Sequence, residues 1–201
     1  MDLNTYQTEA MRTESDPDAD VAGRLMPTPI RLIHSVLGLL TECGEISEAW
    51  IDAAPLDPPK AHLAEELGDV LWYVAVGADA AGMTLRDLSD MRTDPQPADY
   101  TNTIDQLMGI VASAGRCADP VKRYLFYRQD LDVEAIRAGL ADVLWDLDFA
   151  AAKLETTIEA IAEANIAKLR ARYPAGFTAA DAAEDNRDRA AEAAAADSST
   201  P

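Results

Sequence analysis

The stretch 37-LGLLTECGEISEAW-50 reads as one helix with two faces. Ile33, Val36, Leu37 and Leu40 fall at the spacing of an amphipathic helix. Glu42, Glu45 and Glu48 recur every third residue beside that stripe. Acids at this spacing share a face and repel one another. Either water solvates them, or something positive sits between them.

Outward from this stretch the chain reads as helices with no strand, an all-α helical bundle. The first long helix runs from about 30 to 53, and the three prolines of 54-APLDPPK-60 end it. A second spans 61–81, with Leu63, Leu67, Val70, Leu71, Val74 and Ala78 as its apolar stripe and Gly82 as its stop. A short helix over 85–91 leads into a linker at 93–102. Further helices are expected over 103–117, 133–153 and 155–172, with Pro120 beginning or bending a separate piece. A short helix over 3–13 and a loop precede all of these. The segment 178–201 holds alanines and charges but no large apolar side chain, and is expected to be disordered.

The chain has 201 residues, 48% hydrophobic and 26% charged, an ordinary globular composition. Its net charge of −19, from 36 acids and 17 bases, sets it against duplex DNA and anionic membranes. It does not exclude a nucleotide bridged by a divalent cation. Cys43 and Cys117 have no metal-type partner at short spacing and read as free, buried thiols in a reducing compartment. His34 and His62 are equally isolated. No stretch has the apolar core of a signal peptide or the length of a membrane span, so a cytoplasmic protein is expected.

The chain also resembles itself. When 36-VLGLLTECGE-45 is laid on 107-LMGIVASAGR-116, Gly38 falls on Gly109 and Gly44 on Gly115. When 67-LGDVLWYVAV-76 is laid on 140-LADVLWDLDF-149, Asp-Val-Leu-Trp coincides. The two registers are nearly the same, and a small difference in loop length accounts for the shift between them. Two matched blocks in the same order read as a duplicated helical hairpin, since one hairpin cannot bury its apolar face alone. The acids are not duplicated. Glu42 corresponds to Ser113, Glu45 to Arg116 and Glu66 to Gly139; only Asp69 keeps its acid, as Asp142. Trp72 and Trp145 occupy equivalent positions and are expected to pack in the core, with stacking on a nucleobase the alternative.

Glu66 and Asp69 repeat the i, i+3 spacing of Glu42 and Glu45 on the next helix. An antiparallel hairpin sets the four carboxylates at one level. Without a cation each raises the others' pKa. With Mg²⁺ they form a hard-oxygen site whose remaining positions take water and phosphate. Glu48 and Glu65 fit as outer acids.

The two-part acidic motif, Glu42-x-x-Glu45 followed by Glu66-x-x-Asp69 within 65-EELGDVLWYVA-75, resembles the MazG-like, all-α nucleoside triphosphate pyrophosphohydrolase superfamily. Its relatives include the dimeric dUTPases, the dCTPases and phosphoribosyl-ATP pyrophosphohydrolase. The segments 5-TYQTEAMRT-13 and 165-NIAKLRARYPAGF-177 extend the likeness. The resemblance implies a helical bundle with Mg²⁺, or Mn²⁺ in its place, on Glu42, Glu45, Glu66 and Asp69; with the internal match the chain reads as two tandem MazG-like hairpin repeats. It implies cleavage of a nucleoside triphosphate to the monophosphate and pyrophosphate. Asn165 and Lys168 match an N-x-x-K that contacts substrate; Arg172 and Tyr173 are weaker matches. Many relatives carry an acid where this chain has Thr41, and a Lys-Lys pair that the first repeat lacks. Lys122 and Arg123 of the second repeat are the candidate replacements.

The expected organisation is therefore a helix and loop (1–29), an intact repeat (30–92), a linker (93–102), a degenerate repeat that supplies bases (103–177) and a tail (178–201). It is a pseudo-dimer in one chain, and association of two such chains stays open. The alternatives are a non-catalytic nucleotide-binding or protein-interaction module, and a structural bundle with a solvated acidic face.

Overall fold

The computed structural model describes residues 27–53, 56, 58–92, 103–173, 191 and 194. The expected helix at 3–13, the linker at 93–102 and the tail from 178 lie outside these, apart from two tail positions. Six helices carry the described fold: α1 (Pro27–Ala53), α2 (Lys60–Ala80), α3 (Leu85–Asp90), α4 (Thr103–Phe126), α5 (Val133–Lys153) and α6 (Ile158–Arg172). The described residues contain no strand. None of the helices among them is long and apolar enough to cross a membrane.

Two boundaries differ from the sequence reading. Pro27 and Pro29 open α1 rather than precede it, because the first turn of a helix has no use for their missing N–H groups. The helix expected to stop at 117 continues through Pro120 to Phe126. Pro120 and Val121 are buried, so packing on the core outweighs the lost backbone hydrogen bond.

α1 and α2 run antiparallel. Arg31 pairs with Asp79 at 2.6 Å, and one turn along Ser35 Oγ donates to the carbonyl of Tyr73 at 2.8 Å. α4 and α5 repeat the arrangement, with Ser113 Oγ donating to Asp146 at 2.7 Å and Arg116 reaching Asp142 at 3.0 Å. The two hairpins pack through α1 on α4 and α2 on α5. Leu32, Leu39 and Ile46 of α1 meet Leu63, Leu67, Leu107, Ile110, Ile136, Leu140 and Leu147 in one continuous core.

The short helices cross over. α3 follows α2 but packs mainly on α5, while α6 follows α5 but packs mainly on α2. Their starts match as well. Thr84 caps α3 by accepting from Asp87 N, and Thr157 caps α6 by accepting from Ala160 N. The two threonines coincide in the register that lays Asp69 on Asp142. Arg137 of α5 donates to the carbonyl of Ala81 at the end of α2, tying the halves at that corner.

Gly38 and Gly109 show why the matched glycines are needed. A Cβ on Gly38 would lie 2.0 Å from the Tyr73 ring, and one on Gly109 would lie 3.1 Å from the Asp146 carboxylate. Tyr73 and Asp146 coincide in the register that lays Asp69 on Asp142. Gly38→Ala is expected to destabilise the fold by about 1–3 kcal/mol through overpacking. The same change beside Tyr73→Ala should cost much less, a coupling that a double-mutant cycle in urea measures.

Candidate metal centre

The antiparallel pairing of α1 with α2 brings Glu42, Glu45 and Glu66 together. Each offers a carboxylate oxygen, and these oxygens lie within 4.8 Å of one another. Glu42 and Glu66 are buried, at 9% and 7% exposure, and Glu45 is exposed. Burial pushes the Glu42 carboxyl up to about 7, helped by the charges of Glu45 and Asp69. Burial, with Glu45, Asp69 and Glu65, likewise pushes Glu66 up to about 7. Glu66 Oε2 is enclosed and has no hydrogen-bond partner among the described residues, and Oε1 lies 3.6 Å from His62 Nδ1. Leaving a buried acceptor unmatched is costly. Three convergent carboxylates, two of them buried and one orphaned, make a hard-oxygen donor set that fits a divalent cation.

Asp69 lies close enough to raise both buried glutamates but is itself engaged. Its Oδ1 accepts from Asn165 Nδ2 at 2.7 Å, and Lys168 Nζ reaches Oδ1 at 2.7 Å and Oδ2 at 2.6 Å. Lys168 is buried, and its ammonium is also 3.4 Å from Glu65. Burial alone would lower its pKa; the charges of Asp69 and Glu65 outweigh that and raise it. Asn165 and Lys168 come from α6, in the other half of the chain. Gly68 lets α6 approach: a Cβ there would sit 3.1 Å from that of Asn165.

An aromatic group stands one turn from the acids. Trp72 and Tyr73 follow Asp69 on α2. Their rings meet edge to face at 4.8 Å, and His34 of α1 closes the group at 6.0 Å from Trp72 and 5.6 Å from Tyr73. Trp72 is 37% exposed, so the expectation that it packs in the core fails. Burial and then the charge of Glu42 raise the Tyr73 pKa, and Asp69, Glu45 and Tyr173 add to this. The guanidinium of Arg172 lies over the Tyr173 ring at 5.1 Å. Thr41, before Glu42, donates to the carbonyl of Gly38 at 2.8 Å.

Of the other bases expected at the site, Lys122 and Arg123 both pair with Asp119 of α4, at 2.6 and 2.5 Å. Arg123 lines a separate cleft of about 470 Å³ with Arg116, Asp119 and Asp142. Glu48 is exposed, as is Glu65 apart from its contact with Lys168. Cys43 and Cys117 are free and buried; burial raises their thiols to about 11 and about 12.

The second half shows the same layout with opposite charge. Asp142, the counterpart of Asp69, is held by Arg92 and Arg116. Arg116 stands where the first half has Glu45. Arg92 is the counterpart of Asn165 in the repeat register and touches the matching aspartate, with its guanidinium 4.8 Å over Trp145. The sequence reading passed over Arg92, and extending the register of the Asp-Val-Leu-Trp match to Asn165 would have found it.

The raised carboxyls set a pH dependence. An acid whose pKa is higher in the folded than in the unfolded state contributes stability below its unfolded value and loses it as pH rises. For Glu42 and Glu66 the window runs from about 4.5 to about 7. Metal-free protein should therefore lose on the order of a few kcal/mol between these limits. Melting curves from pH 4.5 to 7.5 would show the fall, and Glu66→Gln should flatten it.

Comparison with curated proteins and with solved structures finds no match. The family model described as the MazG nucleotide pyrophosphohydrolase domain matches residues 33–90. The first half of the chain, with Glu42, Glu45, Glu66 and Asp69, is thus similar to a MazG nucleotide pyrophosphohydrolase domain.

Proposed function

We propose that this chain is a Mg²⁺-dependent nucleotide pyrophosphohydrolase that cleaves a (deoxy)nucleoside triphosphate to the monophosphate and pyrophosphate. The observation that carries the reading is the convergence of Glu42, Glu45 and Glu66 within the matched span. Asp69 completes the set. In this reading Mg²⁺, or Mn²⁺ in its place, supplies charge neutralisation at the phosphates and a water of lowered pKa.

The chain's own residues divide the remaining work. Glu42, Glu45, Glu66 and Asp69 hold the cation. Lys168, fixed by Asp69 and Glu65, presents a buried positive charge where charge develops on the phosphates. Asn165 fixes Asp69 and can donate to a phosphate oxygen. Arg172 and Tyr173 stand at the end of the same helix. Water oxygen bonds to the α-phosphorus as its proton passes to bulk water, the bond from that phosphorus to the bridging oxygen breaks, and pyrophosphate leaves. Trp72, Tyr73 and His34 offer aromatic surface one turn away, suited to the face of a nucleobase.

The halves act as a pseudo-dimer with one metal site per chain. The first gives the acids, and the second gives Asn165 and Lys168. In the second half Arg92 and Arg116 supply the positive charge that a cation supplies in the first. The two buried free thiols accord with a reducing, cytoplasmic setting.

A second reading, a nucleotide-binding module without turnover, is favoured by Thr41, whose neutral hydroxyl cannot take a proton from water. Pyrophosphate release from a panel of NTPs and dNTPs with Mg²⁺ separates the two. Turnover of a few nucleotides is expected, falling ~10²-fold or more in Glu45→Gln and Glu66→Gln. Binding of Mg²⁺ and nucleotide with no release would establish the module instead.

Trp72→Ala should raise KM roughly tenfold for a stacked base and leave the melting temperature almost unchanged. An unchanged KM would remove the aromatic group from the substrate site.

A further inference from the structure

A cleft of about 670 Å³ opens between α3 and α6, and none of Glu42, Glu45, Glu66 and Asp69 lines it. Leu71 of α2 and Leu144 of α5, both buried, form its floor. Leu85 of α3 and Ile158 of α6 line it from the two crossing helices. Each of these pairs coincides in the register that lays Asp69 on Asp142. The cleft therefore straddles the seam between the halves, and the crossover of α3 and α6 creates it. Its volume is that of a small-molecule site.

Three charged side chains at this cleft are uncommitted. Arg86 and Glu159 are a further pair in the same register, and Asp148 joins them from α5. Arg86 and Glu159 carry opposite charges at one cleft yet do not pair. None of the three makes a side-chain hydrogen bond or ion pair among the described residues. Exposed bases elsewhere close such pairs, as Arg31 does with Asp79 and Lys60 with Glu155. Arg92, which also lines the cleft, is already held by Asp142.

These groups define the ligand by what they lack. Carboxylates only accept hydrogen bonds and a guanidinium only donates them. A molecule seated here must turn donors toward Asp148 and Glu159 and an acceptor toward Arg86. Its body must be apolar and planar, because Trp145 and Phe149, edge to face at 5.0 Å, add aromatic surface above the leucine floor. The charge must be small. With Arg92 matched by Asp142, Arg86 faces two acids, in a chain of net charge −19. A polyanion is repelled from such a place.

We infer that this cleft binds an uncharged nucleoside, at a place separate from the metal centre. The face of the base stacks on aromatic side chains. The edge of the base carries acceptors that suit an arginine. The sugar hydroxyls donate to carboxylates, as a ribose does to an acid in dinucleotide sites. The site uses neither the cation nor the reaction proposed above, and it stands or falls apart from them.

Calorimetric titration of the full chain with adenosine, guanosine, cytidine and uridine tests the inference. The Trp72→Ala chain is titrated beside it, because it lacks part of the aromatic surface at the metal centre. At least one nucleoside is expected to bind both chains alike, with a Kd at or below about 1 mM. Arg86→Ala and Glu159→Gln, both at exposed positions, should each weaken that binding about fivefold to tenfold and leave the melting temperature of the free chain almost unchanged. In the Trp72→Ala chain without divalent cation, the matching triphosphate should bind about tenfold more weakly than the nucleoside. Failure of all four nucleosides to bind would overturn the inference. So would binding indifferent to both cleft substitutions, wherever the nucleoside then sits, or a triphosphate that binds as tightly as its nucleoside.

Discussion

Two carboxyls buried side by side are the constraint around which the first half is built. Glu42 and Glu66 are taken from water by α1 and α2, and each is raised to about 7 by that burial and by neighbouring acids. A bundle can tolerate such a pair when positive charge is close by. Lys168 supplies some of it through Asp69, and a bound cation would supply the rest. Much of the surrounding geometry serves to bring that lysine in. The crossover of α6 onto α2, the glycine that lets the helices touch and the asparagine one turn before the lysine all act toward that contact.

The second half meets the same constraint differently. Its hairpin has serine, arginine and glycine where the first has three glutamates, so one aspartate is left at the matching level and two arginines neutralise it. The exchange of α3 and α6 is common to both halves, and each brings a positive charge to an aspartate; the hairpins differ, with Glu45 in the first where the second has Arg116. One arrangement leaves acceptors for a cation. The other is internally balanced, with Asp142 satisfied by side chains of its own chain.

The helices and the hairpin pairing were legible because apolar spacing and proline breaks are local signals. The approach of Glu42, Glu45 and Glu66 was legible because i, i+3 spacing on consecutive antiparallel helices brings such side chains to one level. Pro120 misled because burial of the ring, a tertiary effect, decided the outcome. Lys122 and Arg123 were expected at the site for their charge; the structure pairs both with Asp119, a turn earlier on the same helix. Trp72 looked like core because its neighbours are Val70, Leu71 and Val74, although one helical position further round the face opens to solvent. Arg92 was hidden because its meaning depends on the crossover of α3, which no local pattern reports.

That crossover changes how the acidic centre depends on concentration. In an assembly of separate subunits, the lysine that steadies the aspartate would be lost whenever the subunits came apart. Here Lys168 is joined to Asp69 by covalent chain, and the aspartate sees it at an effective concentration set by geometry alone. However dilute the protein, the ammonium stays with its carboxylate.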